Sequence, residues 1–478
     1  MSHGTQVWHL GAYLLALATA VWAVWVLERA RSGLDHATFH VGATPVVSIQ
    51  GREDGPSVVM AHGFAGSRQM MQGYGHVLAQ AGYRVYAFDF EGHGRHPVPM
   101  SGDVTSPDGT TRLLVDQTLE VINAVRSPGE EVALLGHSMA TDVLVRAAQQ
   151  AGPIGPLVLL ATFSGAVTPD SPDDMLMITG AWEPRLQGFA TRAEAGAAPG
   201  VRRVAIVAPA VEHVAILHSR AGRAAALSWL NDYYDRTSTP PVPQTGWAIL
   251  GLLAAITVLF APVARLLPPQ HDPPQPLSVR GFAVAVGVPM VATPLIAWLL
   301  DVRVLPVLVA DYLALHLLIY GVVQGLVQWR LRGWPARINL PGTCVLLIWT
   351  IGVFGFVLDR YGANFWPTSQ RITIIAALAL GTVPFMLSDS WLVYRAPILR
   401  RVVARLGFLI SLAIAVALDF KGLFFVLLIA PVIVLFYLSI GGMGRVAGRR
   451  FGPMSAGLGL GLALAWALGV SFPLFSNV

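Results

Sequence analysis

The segment GHSMA, residues 136–140, places a serine where a nucleophile could act. A short apolar run precedes it and a helical pattern follows, so Ser138 would lie at a sharp turn from a strand to a helix. Such a turn exposes the hydroxyl but crowds the residues two positions away, which must be small, as Gly136 and Ala140 are. The spacing predicts Ser138 as a nucleophile, with the N–H of Met139 as one donor to an oxyanion.

A parallel sheet is predicted to position this serine. Between residues 40 and 240, continuous apolar runs alternate with amphipathic stretches, as expected for strands buried on both faces and the helices that cover them. The predicted strands are TPVVSIQG, PSVVMAHGF, YRVYAFDF, EVALLGHS, GPLVLLATF, DMLMITG and RRVAIVAP. The predicted helices are RQMMQGYGHVLAQAG, TTRLLVDQTLEVINAVR, MATDVLVRAAQQA and HSRAGRAAALSWLNDYYDR. The predicted fold class is therefore α/β with a mostly parallel sheet.

Three segments, in this order, resemble those of α/β-hydrolases of the monoacylglycerol-lipase-like and esterase branches. HGFAGS (62–67) resembles the oxyanion loop of that family, and DFEGHGRH (89–96) resembles its Asp-x-x-Gly-His-Gly segment. GHSMA resembles its nucleophile elbow, with Ala140 where the family usually has Gly. The resemblance covers about residues 45–235. It implies a serine hydrolase in which Phe64 supplies the second oxyanion N–H.

The resemblance also implies an acid after the seventh strand of the family and a histidine after the eighth. Glu183 follows MLMITG, where the family usually has Asp, and is predicted as the acid. His213 lies in the loop before the closing helix and is predicted as the general base. His218, five residues further on, is expected within that helix. Three aspartates after the sixth strand remain rival candidates for the acid: Asp170, Asp173 and Asp174.

Taken singly, each of these residues is more often structural than catalytic, and a lone Gly-x-Ser-x-small segment is a weak signal. Their order on matching strands favours the hydrolase, with a decayed fold kept for binding as the alternative. His62 and His93 are interpreted as loop-shaping residues, and His137 as packing beside the elbow. No Cys/His/Asp cluster in the sequence has metal-ligand spacing and no glycine loop would hold a phosphate, so neither a metal nor a cofactor is predicted.

The rest of the chain has the composition of a membrane protein. Of the 478 residues, 54% are hydrophobic and 12% are charged, whereas soluble domains are about 25% charged. Apolar runs long enough to cross a bilayer begin near residues 7, 246, 282, 304, 340, 372, 406, 422 and 453. The predicted domains are an N-terminal transmembrane anchor (1–31), an α/β-hydrolase domain with a minimal cap (32–240) and a polytopic bundle of about eight transmembrane helices (241–478).

Basic residues between the predicted spans indicate an orientation, because the loops rich in Lys and Arg stay in the cytoplasm. One alternate set of loops holds Arg265, Arg280, Arg330, Arg332, Arg337, Arg395, Arg400, Arg401, Arg405, Arg445, Arg449 and Arg450. The other holds Arg303, Arg360, Arg371 and Lys421. The first set is therefore predicted to be cytoplasmic and the hydrolase domain extracytoplasmic, in the cell membrane, although Arg29 and Arg31 after the first span oppose this orientation.

Charge and composition also bear on partners. Residues 32–240 carry 14 Arg against 20 acidic residues, whereas residues 241–478 carry 15 Arg and one Lys against six Asp. The basic excess therefore lies between spans, and no nucleic acid is expected as a partner.

The single cysteine, Cys344, excludes an intrachain disulfide. The use of one Lys beside 31 Arg favours a GC-rich bacterial gene.

The sequence as a whole predicts a membrane-bound serine hydrolase that cleaves carboxylic ester bonds, with thioesters and amides as further candidates. Its expected partners are a lipid-like or other acyl ester substrate and the lipid bilayer. The alternatives that stay open are an acyltransferase and a non-catalytic transport or scaffold protein. Because the cap is short and the linker RTSTPPVPQTG is stiff, the bilayer or the bundle is expected to complete the pocket. Oligomeric state and acyl length stay open.

Inside the predicted spans, a few residues stand out. Asp311 and His316 are costly in a membrane, although they do not share a helix face. Asp389 is expected at the membrane interface. A small-residue stripe predicts close helix packing and consists of Gly457, Gly461, Ala465 and Gly469.

Overall fold

The structure is a computed structural model that describes residues 3–101, 103, 106–270, 275–300, 305, 307, 310–333 and 337–476. Arg303, one of the basic residues of the loops predicted to be outside the cytoplasm, lies outside the described residues. The first half of the chain is centred on an eight-stranded sheet of order β1-β2-β4-β3-β5-β6-β7-β8. Its strands are β1 Asp35–Val41, β2 Thr44–Gln50, β3 Ser57–Ala61, β4 Arg84–Phe88, β5 Val132–His137, β6 Ile154–Leu160, β7 Asp174–Gly180 and β8 Arg202–Ala208.

The sheet is mostly parallel and is buried on both faces. Strand β2 pairs antiparallel with β1 and with β4, and all the other pairings are parallel. In β5, Val132 and Leu134 join the core on one face and Ala133 and Leu135 the core on the other, because side chains alternate along a strand. The covering helices are α2 Gln72–Gln80, α3 Arg112–Val125, α4 Met139–Ala148, α5 Pro184–Ala195 and α6 Arg220–Tyr233.

The predicted α/β class is confirmed, and all seven predicted strands and four predicted helices are present. Two elements were missed. Strand β1 is an edge strand whose side chains are largely exposed, and α5 buries Ala190 alone, so neither carries a strong apolar pattern. His218 was expected inside the closing helix, but it ends a short 3-10 turn, Ala215–His218, ahead of α6.

The remainder of the described chain is helical. Its helices are α1 His3–Arg31, α7 Thr245–Ala264, α8 Val279–Leu300, α9 Ala310–Arg332, α10 Leu340–Leu347, α11 Gly355–Tyr361, α12 Ser369–Leu392, α13 Ile398–Leu418, α14 Phe420–Leu423, α15 Val426–Leu438, α16 Ile440–Phe451 and α17 Pro453–Ser471. Within the described residues, eight helical segments are long and apolar enough to cross a membrane, with α10 and α11 joined by a π-helical turn into one of them.

The predicted count of nine spans is reached only if a bent pair counts as one span. Val432–Leu438 and Ile440–Phe451 meet at an angle of 45°. Arg445, Arg449 and Arg450 were placed in a loop by the sequence, but they lie on the second helix of this pair. That helix buries its glycine-rich face and exposes Arg445 and Arg449, and its mixed polarity concealed it in the sequence.

Small residues allow α17 and α12 to cross closely, which confirms the predicted role of the stripe. A Cβ added to Gly461 would lie 2.6 Å from the Cα of Val383, and one added to Gly457 would lie 2.7 Å from the Cα of Leu387. Asp389, expected at the membrane interface, lies near the C-terminal end of α12 and is buried among neighbouring side chains.

The two other polar residues singled out within the spans have partners in the structure. Asp311 accepts a hydrogen bond from the Leu305 N–H at 2.8 Å. His316 is fully buried and lies 3.0 Å from the Ser411 hydroxyl.

Candidate active site

Ser138 lies at the turn from β5 to α4, as the sequence predicts. Its backbone has φ 53° and ψ −117°, a conformation that is strained for a residue with a Cβ. The turn leaves little space around it, since a Cβ on Gly136 would lie 2.6 Å from Leu144 Cδ1 and 3.3 Å from Ala140 Cβ. The small residues are therefore required by packing, and they leave the serine side chain at the wall of a cavity.

The side chains of Ser138, His213 and Glu183 form a continuous chain of hydrogen bonds. His213 Nε2 lies 2.8 Å from Ser138 Oγ, and His213 Nδ1 lies 2.6 Å from Glu183 Oε1. Glu183 Oε2 accepts a second hydrogen bond from the Gly180 N–H at 2.8 Å. The side chain of Glu183 is 7% exposed and that of His213 is 44% exposed, so the carboxylate lies behind the imidazole, away from solvent.

The surroundings of Glu183 keep its carboxylate ionised. Burial by itself raises the pKa of Glu183, but the hydrogen bonds from His213 and from the Gly180 N–H outweigh it and leave the pKa below its usual value. An ionised carboxylate can only accept, so Nδ1 of His213 carries the proton and Nε2 is free to accept from the serine.

The rival acids lie elsewhere. Asp170 and Asp173 are exposed, and Asp174 is ion-paired with Arg202 at 2.6 Å. Within the part of the chain that the structure describes, none of these three aspartates is a hydrogen-bond partner of His213.

Gly63 brings the loop after β3 against the serine, since a Cβ on Gly63 would lie 3.0 Å from Ser138 Cβ. His62 holds this loop. Its Nε2 accepts from the Phe90 N–H at 3.1 Å, so Nδ1 is the protonated nitrogen and donates to the Gly63 carbonyl at 2.8 Å. Burial lowers the pKa of His62, in agreement with a neutral ring. Its predicted loop-shaping role is confirmed, and the neighbouring Phe64 lines the same cavity as Ser138.

His137 packs beside the elbow, as predicted, with its ring centroid 5.0 Å from that of His213. Its Nε2 donates to the carbonyl oxygen of His213 at 2.7 Å. Burial lowers the pKa of His137 to about 4, so the ring is neutral near pH 7. This hydrogen bond fixes the backbone of His213. No signal in the sequence indicated this role of His137.

A cavity of about 580 Å³ opens beside Ser138. Its apolar lining consists of Phe64, Met100, Leu114, Met139, Val143, Ala161, Phe163, Leu186 and Phe425. Asp142 and Arg146 also line it but neutralise each other in an ion pair at 2.7 Å. The cavity therefore suits an uncharged, apolar group next to the serine hydroxyl.

One residue of the cavity lining, Phe425, comes from the C-terminal half of the chain, in line with the expectation that the bundle helps to complete the pocket. Phe425, between α14 and α15, packs on Phe64 with ring centroids 5.7 Å apart. Met100 donates its N–H to the Leu474 carbonyl at 2.8 Å and accepts from the Ser476 N–H at 2.7 Å. Sequence reasoning missed these contacts because no local pattern links positions so distant in the chain.

Side chains reinforce the same junction. Nη2 of Arg95 donates to both carboxylate oxygens of Asp359, at 2.8 Å to Oδ1 and 2.7 Å to Oδ2. Arg371, at the start of α12, donates to the Gly92 carbonyl at 3.0 Å, and the Asn364 N–H donates to the Ser67 hydroxyl at 3.0 Å. The helices thus contact the two loops that contribute Phe64 and Met100 to the cavity.

Among the described residues, no group of His, Cys, Asp or Glu side chains could hold a metal ion.

Comparison with protein families finds that residues 53–229 match the family described as serine aminopeptidase, S33. Comparison with curated proteins gives no match. Similar solved structures include a predicted CIB-like hydrolase from Thermoplasma acidophilum (15% identity, 42% of this chain and 98% of that chain, TM-score 0.35). Others are an epoxide hydrolase from an endophytic Streptomyces (15%, 43% and 97%, 0.34) and a dienelactone hydrolase from Anabaena variabilis (18%, 42% and 99%, 0.34).

The family match and the strand order define the class of protein: the first half of the chain is an α/β-hydrolase-like module. The match supports a function of the serine-hydrolase type. It ends ahead of α7, so the C-terminal helices lie outside it. Their length and apolar composition are compatible with a membrane protein.

Proposed function

We propose that this protein is a membrane-bound serine hydrolase that cleaves carboxylic esters of lipid-like substrates. The observation that carries the proposal is the hydrogen-bonded chain of Ser138, His213 and Glu183 at the wall of an apolar cavity. A nucleophile, a base and an orienting acid in this arrangement are what acyl transfer through a covalent intermediate requires.

In the first half of the reaction, Ser138 Oγ attacks the ester carbonyl carbon while His213 Nε2 takes the hydroxyl proton. The N–H groups of Phe64 and Met139 hold the oxyanion, and loss of such a donor typically costs about 3–4 kcal/mol. Glu183 accepts from His213 Nδ1 throughout and stabilises the imidazolium. Collapse of the tetrahedral intermediate breaks the ester bond, and His213 passes its proton to the departing alcohol oxygen.

In the second half, water replaces the alcohol. His213 removes a proton from the water as its oxygen attacks the acyl-enzyme. The second tetrahedral intermediate collapses, the carboxylic acid leaves, and Ser138 recovers its proton from the imidazolium.

The lining of the cavity supports an acyl substrate. Most of its lining is apolar, although Thr110 and Thr111 also line it, and the ion pair of Asp142 with Arg146 is internally neutralised. A charged head group therefore gains little there. Phe425 belongs to the helical bundle, which places part of the wall next to the membrane-like helices. This placement supports a substrate that is presented by a bilayer.

The orientation in the membrane is part of the proposal. Two helix-borne arginines donate to the connection between α7 and α8: Arg450 of α16 to the Leu267 carbonyl at 2.8 Å and Arg400 of α13 to the Leu277 carbonyl at 2.8 Å. These contacts lie at the end of the bundle away from the hydrolase module, whereas Asp359 and Arg371 contact the module at the other end. We place the arginine-rich end in the cytoplasm and the hydrolase module outside the cell membrane.

The test uses the full-length protein in detergent. A fluorophosphonate probe is expected to label the wild type and not Ser138→Ala, and hydrolysis of a p-nitrophenyl ester should fall about a million-fold in that variant. The exposed Ser32→Ala serves as the matched control and should label like the wild type. Equal labelling of wild type and Ser138→Ala would refute the proposal.

A further inference from the structure

A second cavity, of about 50 Å³, opens at one end of the bundle, between α12, α13, α16 and α17. Five arginines line it: Arg395, Arg401, Arg405, Arg445 and Arg449. It is at the end of the bundle remote from the hydrolase module, where α12 ends and α13 begins. One water needs about 10–15 Å³, so the cavity fits a group of a few heavy atoms and not an acyl chain.

The positive charge around this arginine pocket is poorly neutralised. None of the residues described as lining it is Asp or Glu. Asp389 lies 3.5 Å from Arg405, which leaves the other four arginines without a carboxylate among the described residues. The Nε atoms of Arg401 and Arg405 are buried and donate to no acceptor in the described part of the chain. Buried donors are normally satisfied, so these two N–H groups are available to an oxygen acceptor in the pocket.

Arginines that line another cleft of this protein are paired with carboxylates, as expected for arginines with a structural role. A cleft of about 280 Å³ between the hydrolase module and the helices is also rich in arginine. There Arg95 is paired with Asp359, Arg68 with Asp89, and Arg360 with Glu28. A cytoplasmic topology signal requires arginines at one end of the bundle, but it does not require five of them to converge on one cavity.

We propose that the arginine pocket binds a phosphate-bearing group. Guanidinium groups match the oxygens of phosphate with paired, charge-assisted hydrogen bonds. Gly441, Gly444 and Gly448 of α16 also line the pocket, so that wall carries no acidic or bulky side chain. The same chemistry would accept the head group of an anionic phospholipid or a soluble phosphate.

The experiment uses the full-length protein with two exposed arginines of the pocket exchanged together, Arg445→Gln and Arg449→Gln, so that folding is preserved. The matched control is Arg280→Gln, an exposed arginine outside the pocket. One arm measures binding of radiolabelled inorganic phosphate in detergent. The other uses native mass spectrometry to count phosphatidylglycerol retained on protein released from phosphatidylcholine nanodiscs containing that lipid. Ester hydrolysis reports that every variant is folded.

The wild type and Arg280→Gln are expected to bind inorganic phosphate, phosphatidylglycerol or both. The double variant is expected to bind phosphate about tenfold more weakly, or to retain no phosphatidylglycerol, in the arm where the wild type binds. Binding of phosphate alone identifies a soluble ligand, and retention of phosphatidylglycerol identifies a lipid head group. Either result supports the proposal. It is overturned if the wild type binds in neither arm or if the double variant binds as the wild type does.

Discussion

At the scale of single residues, Glu183 controls which nitrogen of His213 carries the proton. Its buried carboxylate accepts from Nδ1 at 2.6 Å, and the Gly180 N–H holds its other oxygen. A glutamine at this position can turn its NH2 group toward Nδ1, which would move the imidazole proton to Nε2 and prevent that nitrogen from accepting the serine proton.

We therefore expect Glu183→Gln to lower kcat for a p-nitrophenyl ester by about 10⁴ with little change in KM. The control is Glu212→Gln, since Glu212 precedes His213 but bonds the N–H groups of Val214 and Ala215 instead. That variant should lose less than about tenfold. Equal losses in the two variants would show that loop structure, not proton placement, is affected.

Buried histidines should make the hydrolase module sensitive to acid. Burial lowers the pKa of His76 to about 3 and those of His137 and His218 to about 4. Near pH 6.5 and below, the unfolded chain binds protons that the folded chain excludes, so the free energy of unfolding falls as the pH drops from about 6.5 to 4. Each such histidine contributes a slope of up to about 1.4 kcal/mol per pH unit.

His218→Gln tests this directly, because Nδ1 of His218 is buried without a hydrogen-bond partner among the described residues. Thermal unfolding of the variant and the wild type should be compared from pH 7.5 to 4.5. The variant is expected to lose stability less steeply toward acid. Parallel pH curves for the two proteins would contradict the assignment.

At the scale of secondary structure, glycines set the distance between helices. Helix α12 packs on α9 on one side and on α17 on the other, and both crossings use a glycine against backbone. A Cβ on Gly381 would lie 2.2 Å from the Ala314 carbonyl oxygen, and one on Gly461 would lie 2.6 Å from the Val383 Cα. Backbone atoms cannot rotate away, so the helices would have to separate.

Gly461→Ala should thus destabilise the protein, by about 1–3 kcal/mol if it behaves like other overpacked sites. Gly287→Ala is the matched control, since Gly287 also lies within a helix and a Cβ there would meet nothing within 4 Å. Alanine favours helix by up to about 1 kcal/mol over glycine, so the control should unfold at the same or a higher temperature. Thermal unfolding in detergent measures the stability of both variants. If both unfold at a lower temperature than the wild type, the close contact at Gly461 is not the cause of the loss.

At the scale of the whole molecule, the two halves of the chain share one cavity. The bundle contributes Phe425 to the wall near Ser138, and the N–H of Ser476 donates to the carbonyl of Met100, which is also in that wall. The ion pair of Arg95 with Asp359 holds the same junction. The C-terminal helices therefore form part of the environment of Ser138.

Phe425→Ala should enlarge the cavity mouth and remove the contact with Phe64. We expect KM to rise about tenfold for long-chain p-nitrophenyl esters, since an apolar contact worth roughly 1.4 kcal/mol is lost, while short-chain esters that do not reach this wall change little. Phe420→Ala, an exposed phenylalanine of α14, is the control. A uniform effect on short and long chains would mean that Phe425 does not contact the acyl chain.

Much of the hydrolase module could be predicted from local patterns. Continuous apolar runs marked the inner strands, because buried parallel strands need apolar side chains on both faces. The small residues Gly136 and Ala140 marked the elbow, because packing there excludes anything larger. The resemblance to α/β-hydrolases then named Glu183 and His213 after the matching strands, with three aspartates open as rival acids. The structure brings Ser138, His213 and Glu183 within hydrogen-bonding distance.

Contacts between distant parts of the chain were decided by the tertiary structure alone. No short stretch of the sequence predicts the contact of Phe425 with Phe64, that of Ser476 with Met100, or the convergence of arginines between α12 and α16. The bend before α16 was hidden for a related reason, since a helix with one glycine-rich and one basic face resembles a loop in hydropathy. A sequence records periodicity along one element, whereas these features depend on which elements pack together.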